Sequence, residues 1–564
     1  MTVISTLIRW SITICDTMEA LSLERNQLIA IVVIIVIIGG VAAGYILLSG
    51  TPPAEESVLI FGTTDTVEAS IDPAQSYDYF GWEIITSLGA GLVEIIPGTA
   101  ASASDIRGAL AESWSVDTSK TEWTFNLRTG LTFADGSPFN ASCVKWAFDR
   151  NIGMALEDGP QLNMGYGDII DEVVVVSTYV VQFNLKIAFA PFLQLMSCAA
   201  SYITAPDHKD DTNYVAYNET RTAAENHPNG LGPYILTEWN RPGGTDTLMK
   251  LEANPNYWNS SLPRTHTIII QFYSSETALA AALTAGEVDV AYRHLTPAQV
   301  ETFRGDTDYK VWDGVGAAIQ YMLFQQRTYP YNETLVRRGI AAALNRTNVA
   351  STVFEGTVDP LYSVIPYGMA YHLPTFDVYG EANYTYTQWA LDQFGYNATH
   401  KLQMDLWYES SGHYPSSEAQ ATVYKSDLEA SGVIAVTLHS ADWPTYRTQR
   451  NAGTMDVFIY GWYPDFIDPD NYGFLPFASW LNLGYNDTYP AGGVAQYDLW
   501  VDGRSAQTDN ARQTAYYDLQ ELQAEEVSLI PLWQGRNNAV TKVGIGGIIL
   551  DITVNWRHWL LYWT

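Results

Sequence analysis

The stretch GWYPDFIDPDNYGF, residues 461–474, sets three carboxylates, Asp465, Asp468 and Asp470, among Trp462, Tyr463, Phe466 and Tyr472. Three chemistries use such a set: a cation-binding loop, a pair of acid–base carboxyls, or a pocket that holds a charged ligand against aromatic walls. A calcium loop counted from Asp468 requires a bidentate Glu at its twelfth position. The chain has Ser479 there, and Pro469 stiffens the loop. A glycosidase needs two convergent carboxyls, and Asp465 and Asp468 lie three residues apart in a proline-containing loop with no second supporting feature. The chain has no HExxH, GxSxG or Walker A motif, and no GxGxxG between a strand and a helix. Its nine His are scattered without helical metal spacing, and no CxxC pair suggests zinc. Binding without catalysis, and without a cofactor, is the expectation that remains.

The elements that must position such a loop are strands and helices in alternation. VLIFGTT (58–64) reads as a buried strand. TEWTFNLRTGLTF (121–133) alternates Trp123, Phe125 and Leu127 with polar residues, ending in a turn at ADGSPF, and DEVVVVSTYVVQFNL (171–185) reads as a hairpin. THTIIIQFYSSETALAAALTAGEVDVAY (265–292) predicts strand–helix–strand, with Ser274 or Ser275 as cap and Gly286 as stop. A helical region over 332–356 places Val336, Ile340 and Leu344 at four-residue spacing. A last helix carries Ala515, Leu519 and Leu522 before a buried strand SLIPLW (528–533). This order indicates α/β lobes rather than a helical bundle or a β-sandwich. At 564 residues, two or three lobes are required.

Composition narrows the class. The net charge is −33, from 62 Asp plus Glu against 29 Lys plus Arg, and no basic patch occurs, which argues against nucleic-acid binding. The 36 Tyr and 18 Trp exceed what a core needs and suit ligand clefts. Residues 28–48 carry no charge and are long enough to span a bilayer of ~30 Å as a helix. Arg9 and Arg25 precede the run and the next basic residue is Arg107, so 1–27 is expected in the cytoplasm, 28–48 in the cell membrane as a single-pass helix, and the bulk of the chain outside. A cleaved signal peptide is the alternative. Residues 49–57 read as a polar linker. Eight sequons all follow the apolar run, in keeping with glycosylated, extracellular exposure, and a Cys143–Cys198 disulfide is left open.

Several segments in order resemble one family along about residues 58–564: ASIDPAQSYD (69–78), LAESWSVD (110–117), WTFNLRTGLTFADGSPFNASCVKWAFDR (123–150), GLGPYILTEWN (230–240), LEANPNYW (251–258), LVRRGIAAALNR (335–346), DVFIYGWYPDFIDPDNY (456–472) and EEVSLIPLWQ (525–534). The chain resembles the family 5 extracellular solute-binding proteins of ABC importers, the oligopeptide, dipeptide and nickel-binding type. The resemblance implies a three-lobed periplasmic-binding-protein-like α/β fold of the large, peptide-binding type II class. Lobe I would comprise about 58–78, 206–320 and 528–564, lobe II about 79–205 and lobe III about 321–527, with crossings near Gln320–Gln326 and Ser528–Trp533. It implies a monomer that captures a peptide, or an oligosaccharide, and delivers it to permease subunits. By the same resemblance Asp465 would meet the ligand's α-amino group, and Trp462, Tyr463, Tyr77, Tyr79, Trp82 and His413 would line the pocket. One departure is visible: ESSGHYPSSEAQA (409–421) has no Arg where dipeptide binders place one for the peptide carboxylate, which favours longer peptides.

Overall fold

The computed structural model describes residues 57–564 apart from 69, 100–101, 155–158, 207–228, 486–494 and 554. The expected apolar span 28–48 and the segment before it lie outside the described residues, as does all but the last residue of the linker 49–57. Among the described residues, no helix is long and apolar enough to cross a membrane.

Two long strands organise the chain. Tyr309–Phe324 and Leu529–Lys542 pair antiparallel along nearly their whole length, from Tyr309 opposite Lys542 to Leu323 opposite Leu529. Their facing ends, Ile319–Phe324 and Leu529–Gln534, are buried on both faces, as strands in the middle of a large sheet must be. They sit at the centre of an eleven-stranded sheet. On one side follow Val290–Tyr292, Val58–Thr63, Thr267–Phe272, Leu248–Ala253 and Tyr234–Asn240. On the other follow Val457–Trp462, Leu402–Glu409 and Ile434–Ala441. The short strand Val358–Pro360 pairs beside Trp533–Gly535.

The register breaks midway. Between the pairs Val315–Arg536 and Ile319–Gln534 one strand carries two extra residues, a bulge that divides the sheet into two halves. A second irregularity follows at once, Gln320 pairing with Trp533 and Tyr321 with Pro531. Side chains fasten the bulge: Gln534 Nε2 donates to Gly316 O at 2.6 Å and Asn537 Nδ2 donates to Val315 O at 3.1 Å. Glycine is required where the strands approach, because a Cβ on Gly316 would lie 2.5 Å from Gly535 O.

The half-sheets point at each other. Val58–Thr63 runs parallel to Thr267–Phe272 and Val290–Tyr292, and all three end toward the crossing. Val457–Trp462, parallel to Leu402–Glu409, ends there from the opposite side, with Trp462 opposite Ile319. The C-terminal ends of two parallel strand sets thus face one junction, where open α/β sheets bind ligands.

A separate four-stranded antiparallel sheet, Ala111–Val116, Glu122–Leu127, Val180–Leu185 and Ile170–Ser177, buries Trp123, Phe125 and Leu127 as the alternation predicts. The helix Ala141–Met154 packs on it through Val144 and Phe148, the latter edge-on to Phe183 at 4.9 Å. Cys143 and Cys198 are both buried free thiols, and Cys198 Sγ donates to Leu195 O at 3.0 Å.

Local expectations fare unevenly. The unit 265–292 forms as predicted, with Ser275 Oγ accepting from Ala278 N and Gly286 at φ 78°. The helical region 332–356 is two helices, Thr334–Ala343 and Arg346–Thr352, because Asn345 interrupts the first and caps the second. Leu344 is buried but lies past the first helix. Leu522 of Asp509–Glu526 is half-buried, and Gln523 takes the buried position beside it.

Gly316→Ala should cost about 1–3 kcal/mol, since the atom it meets is main-chain oxygen that cannot step aside. Urea unfolding of the variant checks this, and an unchanged midpoint would show that the bulge relaxes freely.

Candidate functional site

Asp465 lies at the junction, three residues past the end of Val457–Trp462. Its carboxylate is held by neutral donors from two directions. Tyr77 Oη donates to Oδ1 at 2.6 Å, and Asn471 Nδ2 donates to Oδ2 at 3.1 Å. Asn471 Oδ1 in turn accepts from Asp465 N at 2.9 Å and from Trp462 Nε1 at 3.2 Å. The carboxylate is buried and has no cationic partner among the described residues. Burial raises its pKa to about 6, with the Tyr77 and Asn471 hydrogen bonds pulling the other way.

Tyr77 reaches Asp465 from a distant part of the chain because its loop is anchored. Asp72 and Arg150 form a buried bidentate pair, with Arg150 Nη1 donating to Asp72 Oδ1 at 2.9 Å. Asp72 Oδ1 also accepts from Ala74 N at 3.0 Å. Asp78 caps the helix Tyr79–Leu88 by accepting from Gly81 N at 2.6 Å. Trp82 Nε1 donates back to Ser76 O at 2.8 Å, closing the loop on itself. Tyr79 then crosses the junction: its hydroxyl donates to Pro464 O at 2.8 Å, and its ring meets Tyr463 edge-on at 5.2 Å. Tyr77 and Tyr79 also pack against Trp82, at 5.7 and 6.1 Å.

The expected residues Asp465, Trp462, Tyr463, Tyr77, Tyr79 and Trp82 are therefore one connected cluster. Trp82 is buried beneath it, whereas Tyr463 is 40% exposed. His413 stands apart from the carboxylate. It stacks on Trp443 at 3.6 Å, and its backbone N–H is held by Glu409 Oε2 at 2.9 Å. It connects to the cluster through rings, Trp443 lying 5.7 Å from Tyr460, Tyr460 5.9 Å from Trp480 and Trp480 stacking on Trp462 at 5.7 Å, and through Tyr414, whose hydroxyl donates to Gly461 O at 3.4 Å.

The other two aspartates are committed elsewhere. Asp468 Oδ1 accepts from Arg512 Nη2 at 2.5 Å, and Asp470 pairs with Arg504 at 3.3 Å. Both carboxylates are buried, so they hold the loop rather than offer oxygens to a cation. Sequence reasoning missed Asn471, although it stands in the same quoted loop. It also missed an ionic group at the junction: Arg293 donates to Asp65 at 3.0 Å and to Glu83 at 3.1 Å, and His294 faces Asp65 at 2.7 Å. Those residues come from three separate segments, and no spacing rule joins them.

Opposed parallel strand ends with a buried carboxylate between them define a protein that encloses a solute between two half-sheets. Residues 105–480 match the model of the bacterial extracellular solute-binding proteins, family 5 (middle region), and the chain belongs to that family. The probable D,D-dipeptide-binding periplasmic protein DdpA of Escherichia coli is 24% identical over 491 residues, 86% of this chain and 89% of that protein. The heme-binding protein A of Haemophilus influenzae is 24% identical over 417 residues, 70% of this chain and 72% of that one. Among solved structures, the DppA periplasmic binding protein of Helicobacter pylori in complex with the peptide STSA superposes with a TM-score of 0.70 at 21% identity, covering 90% of this chain and 98% of that one. NikA of Brucella suis in complex with Fe(III)-EDTA gives 0.76 at 20%, covering 90% and 100%. The α/β fold is thus the one these binding proteins share.

Asp465→Asn tests the unpaired carboxylate without any ligand. The native pKa, about 6, lies above the ordinary value of ~3.9, so folding takes up protons between these pH values and ionisation costs stability as pH rises through them. The variant should match wild type near pH 4 and be more stable by about 3 kcal/mol at pH 8. A variant less stable than wild type at pH 8 would reveal a charge partner for Asp465.

Proposed function

We propose that the chain is the solute receptor of an ABC importer that captures extracellular oligopeptides, with Asp465 taking the peptide's α-ammonium group, and delivers them to the permease. One observation carries this reading: a buried carboxylate between the half-sheets that has two neutral donors and no cation. Each carboxylate oxygen has a second lone pair, so an ammonium can bond to both without displacing Tyr77 or Asn471. The charge-assisted bond would return the electrostatic energy that burial withholds. The peptide named with the Helicobacter structure and the dipeptide named with the Escherichia relative support the same solute class.

Lobe I is formed by about 58–78, 206–320 and 528–564, lobe II by about 79–205 and lobe III by about 321–527. Closure moves lobes I and III about the bulged crossing strands, bringing Tyr77 and Tyr79 onto the Asp465 loop. The receptor acts as a monomer, held to the outer face of the membrane through residues 28–48.

A second reading has its own observation. Trp462 and Trp480, stacked at 5.7 Å and both half-buried, form an aromatic plane of the kind that holds sugar rings, so oligosaccharide is the rival ligand. A thermal-shift screen against peptides of two to ten residues and against oligosaccharides separates the two. A ligand present at a thousand times its Kd stabilises by ~4 kcal/mol. Peptide binding should weaken as pH falls through about 6, where Asp465 takes up its proton. Asp465→Asn should lower peptide affinity about 100-fold or more. Stabilisation by sugars alone, or peptide binding indifferent to Asp465→Asn, would remove the peptide reading.

A further inference from the structure

The end of the large sheet that points away from the junction has a composition of its own. Val58 opens the strand Val58–Thr63 there, and Lys542 closes Leu529–Lys542 at the same end. The short pair Ile545–Gly546 and Tyr562–Trp563 lies beside them. Trp563 Nε1 donates to Val58 O at 3.2 Å, which pins the indole over the start of the strand. Gly544, at φ 97°, turns the chain straight after Val543, and its carbonyl accepts from Thr564 N at 2.7 Å. Val58, Val543 and Trp563 are 40%, 58% and 43% exposed. Three large apolar side chains fastened next to one another in water form a face, and such a face marks an interaction.

Cations resting on aromatic rings flank this face. The Arg264 guanidinium lies 4.4 Å from the Tyr562 ring centre, and Lys310 Nζ lies 3.4 Å from that of Trp312. Both cations are exposed. The nearest acidic neighbour is Asp308, also exposed, whose carbonyl accepts from Val543 N at 3.0 Å. Tryptophan and tyrosine with lysine and arginine beside them are the side chains that settle at headgroup depth, the rings at the boundary and the cations reaching toward phosphate. Chain connectivity selects the same occupant. The apolar run ends at residue 48, and the nine residues 49–57 that follow can reach at most ~30 Å before Val58 begins the sheet.

We propose that Val58, Val543 and Trp563 seat on the outer lipid surface, with Arg264 and Lys310 toward the headgroup phosphates. The seating rests on the reading of residues 28–48 as a membrane anchor and is independent of which solute is carried. Zwitterionic lipid is the fitting surface, because a chain of net charge −33 is repelled by an anionic one. Val58–Thr63 runs from this face toward the junction, so its six residues hold the junction ~20 Å away from the lipid, open to the outer medium.

A depth measurement on the full chain in phosphatidylcholine vesicles tests the seating. Cys143 and Cys198 are buried, so a Cys15→Ser background allows a single nitroxide at Val543→Cys or, for reference, at Val378→Cys, which is 76% exposed and lies outside this face. Flotation with the vesicles reads anchoring. Collisions of the label with oxygen and with a neutral nickel chelate read depth. The ratio of oxygen to nickel collisions should be several-fold higher at 543 than at 378, and Trp563→Glu should bring the two ratios together. The vesicles contain no permease, so shielding that depends on them comes from lipid. A chain that floats while its 543 label meets nickel as freely as the 378 label overturns the seating and leaves the anchor standing. A chain that stays in the aqueous phase removes the anchor and the seating with it. Shielding at 543 that persists without vesicles and grows with protein concentration assigns the face to a second copy and overturns the lipid reading.

Discussion

The antiparallel pairing of Tyr309–Phe324 with Leu529–Lys542 is the constraint on which the rest of the molecule depends. Because both strands run through the whole sheet, the strands beside them take opposite directions in the two halves, and each parallel set ends at the same junction. A ligand site follows from that geometry before any side chain is considered. Loops leaving the strand ends carry main-chain groups with no further ladder to join, and they face one another across a short gap. The bulge at Val315–Ile319 adds the second requirement of an enclosing protein. It interrupts the ladder at the one place where the halves would have to turn, while Gln534 and Asn537 keep the loosened carbonyls bonded.

Within the Asp465 loop, three aspartates of similar burial meet different fates, and the deciding variable is the partner. Asp468 and Asp470 are each offset by an arginine from the segment 504–512, so their charge is spent inside the fold. Burying either without its arginine would cost several kcal/mol, so these pairs fix the loop in place without adding much net stability. Asp465 has only dipoles around it. Dipoles orient a carboxylate but do not neutralise it, and the raised pKa is the consequence. Such a group adds no stability of its own at neutral pH.

Much of this was legible from residue types. Alternation located the strand Glu122–Leu127 and apolar runs located the hairpin beside it, Ala111–Val116 went unread, and a serine cap and a glycine stop bounded the helix Glu276–Ala285. The aromatic and acidic density of 461–474 pointed to the site. What was not legible was everything that depends on register or on distant segments. Asn345 ended a helix that the four-residue spacing of Val336, Ile340 and Leu344 had carried through it, because a side chain that can cap outcompetes a spacing that only permits continuation. The tie between Tyr77 and Asp465 spans 388 positions. Arg293, Asp65 and Glu83 met in the same way, through the fold alone.

Absence of a residue from one segment is weak ground for excluding a ligand chemistry. The loop 409–421 has no arginine, and a reading tied to that position concludes that no cation waits for a carboxylate. The strand Leu402–Glu409 lies beside both Ile434–Ala441 and Val457–Trp462, so a helix leaving the second of these passes close to the loop leaving the first. His413 stacked on Trp443 marks the contact between the two. A charge can therefore be delivered to nearly the same region from Trp443–Ala452, one strand later in the chain, at no cost to the fold. Physical chemistry fixes the requirement for a cation near a buried anion; topology only decides how many segments are able to supply it.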